Sequence, residues 1–216
     1  MSILVKRKQT RGMGSFGNME ISMLEGTILA TFFPEAKDMT IKEISEWVDY
    51  SYERINSALK SLKEKKIVIE EQKGKTLVYS LNIDNLYSET IGFGSYMLQR
   101  KIDFIKKNKE IYQAIKEIES NQHIEGLILF GSYSKDTETK KSDVDIICFS
   151  NKKKETETFI HSLKHKFGIN FSPVVMPSYE FTDIKKDNPE LWNDLKLYGI
   201  EFKGDNFYYW MYKNDK

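Results

Sequence analysis

Apolar residues recur at helical spacing through the first third of the chain. Ile21, Leu24, Ile28, Leu29 and Phe32 share one face over residues 19–33, and Pro34 ends that segment. Thr40-Ile41-Lys42-Glu43 is a capping-box pattern, and Ile41, Ile44 and Val48 give the helix it opens one apolar face. After a short Asp49-Tyr50 turn, a third helix is predicted over residues 51–65, with Ile55, Leu59 and Leu62 inward. The period then shortens to two. Ile67-Val68-Ile69 and residues 76–81 read as strands, with residues 70–75, containing Gly74, as the turn.

The second half alternates differently. Residues 92–120 read as one long helix carrying Tyr96, Ile102, Ile105, Ile111, Ile115 and Ile118, with Gly92-Phe93-Gly94-Ser95 at its start. Such a stripe suits packing on a sheet, and it could also form a homodimer contact. The apolar run from Leu127 to Phe130 ends abruptly at Gly131-Ser132, as expected of a buried strand. A second strand is predicted from near Ser142 through Asp143-Val144-Asp145 into Ile146–Phe149. A helix follows over 155–167 and a third strand over 169–176. Helical segments are expected over 179–187 and 189–198. The aromatic segment at 207–212 reads as an edge strand or core closure rather than a base-stacking platform. The expected organisation is a two-domain α/β chain: an arm (1–18), a helical domain with a β-hairpin (19–90), a linking helix (91–121) and a mixed-sheet domain with helices (122–216).

Candidate chemistry gathers where the apolar run breaks. In a strand, residues i and i+2 face the same side, so Asp143 and Asp145 should project together, opposite Val144 and Ile146. Two crowded carboxylates repel unless a cation lies between them. A hard ion such as Mg2+, usually held by one or two carboxylates plus substrate phosphates, suits the pair. Gly131 would let a phosphate approach the backbone, and the Ser132 hydroxyl adds a donor beside free N–H groups. Lys135 follows closely and could neutralise a triphosphate, as could Lys140 and Lys141.

Phe130-Gly131-Ser132, a ten-residue spacer and Ser142-Asp143-Val144-Asp145-Ile146 resemble the motif of the DNA polymerase β-like nucleotidyltransferases, especially their small minimal members. The resemblance implies a nucleotidyltransferase fold binding Mg2+ with a nucleoside triphosphate, ATP foremost. Asp143 and Asp145 would be the catalytic metal ligands, and Gly131, Ser132 and Lys135 would bind nucleotide. It further implies transfer of a nucleotidyl group to a protein, RNA or small-molecule hydroxyl, with a partner protein as one candidate acceptor. Two departures stand out. Family members often carry Gly where this chain has Asp136. Active members usually carry a third carboxylate on the next strand, whereas residues 169–176 contain neither Asp nor Glu, only Asn170 and Ser172 on one face. Glu180 and Asp183 would serve only if the chain folded back.

Three helices and a hairpin over residues 19–82 resemble a winged helix-turn-helix domain. That resemblance implies a third helix in a DNA major groove, with Tyr52, Arg54, Asn56, Ser57 and Lys60 as contacts and Lys73 and Lys75 on the wing. The alternative function is therefore a DNA-binding regulator whose nucleotidyltransferase-like domain is inactive or senses nucleotide.

Composition narrows these readings. The 216 residues carry a formal charge of +1, so any nucleic-acid surface is local. Residues 1–90 hold as many acidic as basic residues. Lys6, Arg7, Lys8 and Arg11 make the arm basic, fit for phosphates or simply solvated. The lone Cys148 excludes an internal disulfide and fits a reducing compartment. His161 and His165 lie at i and i+4 without an acidic companion and read as helix surface. The Met1–Val5 start is too short for a signal peptide and no run approaches a membrane span, so a cytoplasmic protein is expected.

Overall fold

The computed structural model describes residues 20–35, 37–204, 207 and 211. The basic arm and the aromatic residues Tyr208, Tyr209, Trp210 and Tyr212 lie outside the described residues.

Ser22 and Glu25 form a capping box that opens α1 (Met23–Thr31). Thr40 and Glu43 do the same for α2 (Ile41–Trp47), as their spacing predicts. Helix α3 (Tyr52–Glu64) buries Ile55, Ala58, Leu59 and Leu62. The first hairpin strand runs on through residues expected in the turn: β1 (Val68–Lys73) pairs antiparallel with β2 (Thr76–Leu81), which spans the residues expected for it. Gly74, at φ +63°, lets the turn close in two residues. A single bridge between Met39 and Tyr79 ties the segment before α2 to this hairpin.

The expected long helix is two helices. Asn85 caps α4 (Leu86–Lys107), so Gly92-Phe93-Gly94-Ser95 lies inside the helix rather than at its start. Asn108, at φ −124° and ψ 53°, leaves the helical region, and α5 (Lys109–Ser120) begins anew beyond it. The break lets each helix follow its own stripe. Helix α5 buries Ile111, Ala114, Ile115 and Ile118. Phe104 of α4 meets Phe202 edge-on at 5.5 Å.

The remaining elements build a four-stranded sheet. They are β3 (Gly126–Leu129), the helical turn α6 (Gly131–Ser134), β4 (Val144–Phe149), α7 (Lys153–Phe167) and β5 (Phe171–Met176). A 3-10 segment (Ser178–Asp183), α8 (Ile184–Asp187), α9 (Pro189–Tyr198) and β6 (Ile200–Lys203) follow. Strand order is β5-β4-β3-β6, with β4 parallel to β5 and the other pairs antiparallel. Gly199 ends α9, and strand β6, only four residues long, follows it directly.

Register assigns the two faces. Val144, Ile146 and Cys148 share one side with Leu127, Leu129, Phe171 and Val175, and all are buried. Asp145 and Ile147 share the other side with Ile128, Ser172 and Val174. Farther along that side Phe149 packs edge-on against Phe181 at 5.3 Å, and Phe181 lies 5.6 Å from Trp192. The C-terminal helices therefore cover the far end of this face, while Asp145 stands at its uncovered start.

The buried cluster is continuous from α1 through α4 to the sheet. Phe33 contacts Phe93 and Tyr96 of α4 at 5.7 and 6.0 Å. Among the described residues, no helix is long and apolar enough to cross a membrane.

Candidate functional site

The site is assembled by the crossing from β3 to β4. Phe130 donates its backbone N–H to the Asp145 carbonyl at 3.0 Å, holding the end of β3 against the start of β4. The chain then turns sharply through Gly131 at φ +71°. A Cβ built at this glycine would lie 2.1 Å from Asp145 Oδ2. Only glycine fits both this backbone conformation and this contact. The Gly-Ser turn and the second aspartate of Asp-x-Asp are thus in direct apposition.

The turn is braced from within and behind. Ser134 is buried and donates its hydroxyl to the Gly131 carbonyl at 2.9 Å. The Ser132 carbonyl accepts from the N–H groups of Lys135 and Thr137. Arg100 of α4 donates to the Ser134 carbonyl at 2.7 Å and to the Leu197 carbonyl at 3.0 Å. The first N–H groups of such a helical turn have no intrahelical acceptor.

Asp136 occupies φ +56°, a left-handed position that Gly would adopt more easily. Its carboxylate pairs with Lys107 at 2.9 Å. The negative charge of Asp136 is therefore directed toward α4. Lys135 points toward α9, where it pairs with Asp194 at 2.6 Å and lies 5.3 Å from the Tyr198 ring. Lys140 is exposed and borders an open cavity of about 700 Å³ shared with Lys109 and Tyr133.

The loop into β4 is closed by Thr139 and Ser142. The Thr139 N–H donates to Ser142 Oγ, and the Ser142 N–H returns to the Thr139 carbonyl. This explains the serine before Asp-x-Asp. Strand β4 starts at Val144, so Asp143 precedes the strand instead of lying within it. Asp143 is exposed and Asp145 half-buried, yet they remain close enough to interact. Burial, and then the Asp143 charge, raises the Asp145 carboxyl above its ordinary value of 3.8; a bond from Ser172 acts the other way.

Ser172 lies directly across from Asp145 on the parallel strand β5. A serine thus stands on the neighbouring strand, on the face where a third carboxylate was sought. Glu180 and Asp183 follow the opposite end of β5. Parallel pairing sends that end away from Asp145, so neither completes the pair. Among the described residues, no cluster of three acidic, histidine or cysteine side chains could hold a metal. The pair fits a hard ion that takes its remaining ligands from phosphate and water. His161 and His165 are exposed on α7. Cys148 is buried beneath the site, and burial pushes its thiol up to about 12.

The other predicted contacts are far from this face in the fold. Tyr52, Arg54, Ser57 and Lys60 are exposed on α3, and Asn56 is half-buried. Arg54 stacks over Tyr50 at 4.5 Å. Lys73 is paired with Asp38, and Lys75 is exposed beside Gly74. Lys63 is paired with Glu70. Lys63 and Lys73 are therefore matched by carboxylates of this same surface. Sequence reasoning missed Arg100, whose position in a helical stripe gives no hint of a long-range bond to the turn.

Residues 110–196 match the nucleotidyltransferase domain family. The match runs from α5 into α9 and leaves residues 1–109 and 197–216 outside it. The chain is also similar to a protein of Methanocaldococcus jannaschii named "Putative protein adenylyltransferase". The two are 29% identical over 90 residues, covering 38% of this chain and 60% of the relative. The chain thus spans less than two thirds of that relative.

Proposed function

We propose that this protein is a nucleotidyltransferase that binds Mg2+ with ATP at Gly131, Ser132, Asp143 and Asp145 and transfers AMP to a hydroxyl group. The observation that carries this reading is the apposition of Gly131 with Asp145. It sets a bare backbone turn beside two hard oxygen ligands. The Ser132 hydroxyl and the leading N–H groups of the turn would bind phosphate oxygens. Asp143 and Asp145 would hold the ion through carboxylate oxygens. Bound there, Mg2+ would neutralise charge on the triphosphate and its leaving pyrophosphate. Nucleotidyltransferases of this family generally use Mg2+ with a nucleoside triphosphate. The name of the archaeal relative favours a protein hydroxyl as acceptor over RNA or a small molecule.

Ser172 distinguishes this site from one with three carboxylates. A serine has no basic oxygen at neutral pH, so the acceptor's proton must pass to Asp145, to water or to a group on the acceptor. Incubation of the full chain with Mg2+ and ATP labelled at the α-phosphate tests the reading. Label should enter an acceptor protein from the host extract, with pyrophosphate released, and both should vanish in Asp143→Asn/Asp145→Asn. Absence of label and pyrophosphate over all acceptor classes would refute transfer.

Ser172 also favours a second reading, a regulator that binds nucleotide without turning it over. In that case α1–α3 and the hairpin would serve as a winged helix on DNA, through Tyr52, Arg54, Asn56, Ser57, Lys60, Lys73 and Lys75. Salt-dependent duplex binding, weakened by Arg54→Ala and Lys60→Ala, would support it. A homodimer would place two such helices on two half-sites.

A further inference from the structure

A second cavity lies between α1, the end of α2 and α4. Its volume is about 310 Å³, and its walls include Phe33, Trp47, Tyr96, Gln99, Arg100 and Asp103. Trp47 ends α2 with 76% of its surface exposed. Among the described residues it meets no other ring. An indole so exposed is unusual, since Trp is highly buried on average. The Phe33 and Tyr96 rings lie nearly parallel at 25° and continue the aromatic wall.

The polar side of the cavity is specific. Gln99 donates its amide to Asp103 Oδ2 at 2.9 Å, while the nearest cation to Oδ1 is Lys106 at 3.5 Å. The Asp103 carboxylate keeps acceptor capacity. Arg100 bonds Tyr96 Oη, the Leu197 carbonyl and the Ser134 carbonyl, and its five N–H groups exceed those three acceptors. An aromatic wall facing a carboxylate and a guanidinium calls for a flat ligand with adjacent donors beside an acceptor.

We propose that this cavity binds a purine base or nucleoside, with guanine as the preferred base. The guanine Watson–Crick edge presents two neighbouring N–H donors to Asp103 and its carbonyl oxygen to Arg100. Its ring stacks on Trp47. Adenine offers that edge only one donor group, so Asp103 discriminates between them. Because Arg100 also holds the Ser134 carbonyl, occupancy of the cavity reaches the Gly131–Ser134 turn.

Calorimetric titration of guanosine and adenosine into full-length Asp143→Asn/Asp145→Asn, without Mg2+, tests the cavity apart from the proposed catalytic site. Guanosine should bind with one-to-one stoichiometry. Adding Trp47→Ala should weaken binding about tenfold or more, the size of a lost base–aromatic stack. Adding Asp103→Asn should remove the preference for guanosine. Trp47 is exposed, so its loss leaves the fold intact, as circular dichroism would verify. No guanosine binding to the folded protein, binding indifferent to Trp47→Ala, or equal affinity for both nucleosides would overturn the proposal.

The coupling rests on the nucleotidyltransferase reading. Saturating guanosine should change the affinity of the wild-type chain for Mg-ATP by about threefold or more. Unchanged affinity overturns the coupling. Failure of Mg-ATP to bind at all overturns the nucleotidyltransferase reading, while the first titration still decides the cavity.

Discussion

Gly131 and Asp145 carry the local argument. Gly131→Ala adds a methyl group 2.1 Å from Asp145 Oδ2 at a positive φ, so one of the two residues must move. The expected cost is about 1–3 kcal/mol of stability, together with loss of nucleotide affinity. Urea unfolding and ATP titration of the same variant read both effects. Asp145 has the opposite sign. Its folded-state value is raised by burial and by Asp143, so its contribution is complete below the unfolded value of 3.8. That contribution is lost as pH rises through the higher folded value. Asp145→Asn removes this handicap and should unfold at a higher temperature than wild type at pH 7. The difference should close toward pH 3, and a thermal-melt series across that range would show it. Both motif residues were legible because their chemistry is local to the chain. Asp136 was legible only as a departure. Its meaning, a left-handed position paired with Lys107, required the backbone.

At the scale of elements, side-chain caps set the starts of α1, α2, α4 and α9. Glu25 accepts from the Ser22 N–H at 2.7 Å and pairs with Lys65 beyond α3 at 2.6 Å. Burial opposes its charge, but the bonds from Lys65, Ser22 and Ser61 outweigh burial and hold the carboxyl below 4.5. Glu25→Ala should cost about 1–3 kcal/mol at neutral pH. A depressed folded value means the native contribution is present above 4.5 and is lost as pH falls through that lower value. The variant should therefore differ from wild type least in acid, which urea midpoints at pH 7 and pH 3 would establish. Arg100 braces a different element. Arg100→Met keeps the bulk and removes the bonds to Ser134 and Leu197. Faster amide exchange over residues 131–137 is expected, and unchanged exchange would deny it that role. Helix periodicity located one long helical stretch but neither its start at Leu86 nor the break at Asn108, since polar Asn interrupts neither stripe. Strand β6 escaped because four residues carry too little alternation.

Across the whole molecule, α4 joins the N-terminal helices and hairpin to the sheet through one continuous core. Phe33, Phe93 and Tyr96 lie at one end of that contact and Phe104 with Phe202 at the other. The sequence separates the two halves by period, yet it cannot show that they share buried residues, because such contacts join positions far apart in the chain. The same limit applied to the third carboxylate. Its absence from residues 169–176 was visible, but parallel pairing was needed to seat Ser172 opposite Asp145 and exclude Glu180 and Asp183. On this reading Gly131, Ser132, Asp143 and Asp145 form one nucleotide site. Calorimetric titration of Mg-ATP into wild type and Asp143→Ala/Asp145→Ala tests it most directly. Wild type should bind at one site, and that binding should disappear in the variant and without Mg2+. Absence of binding to folded wild-type protein, or binding that survives loss of both aspartates, would contradict it.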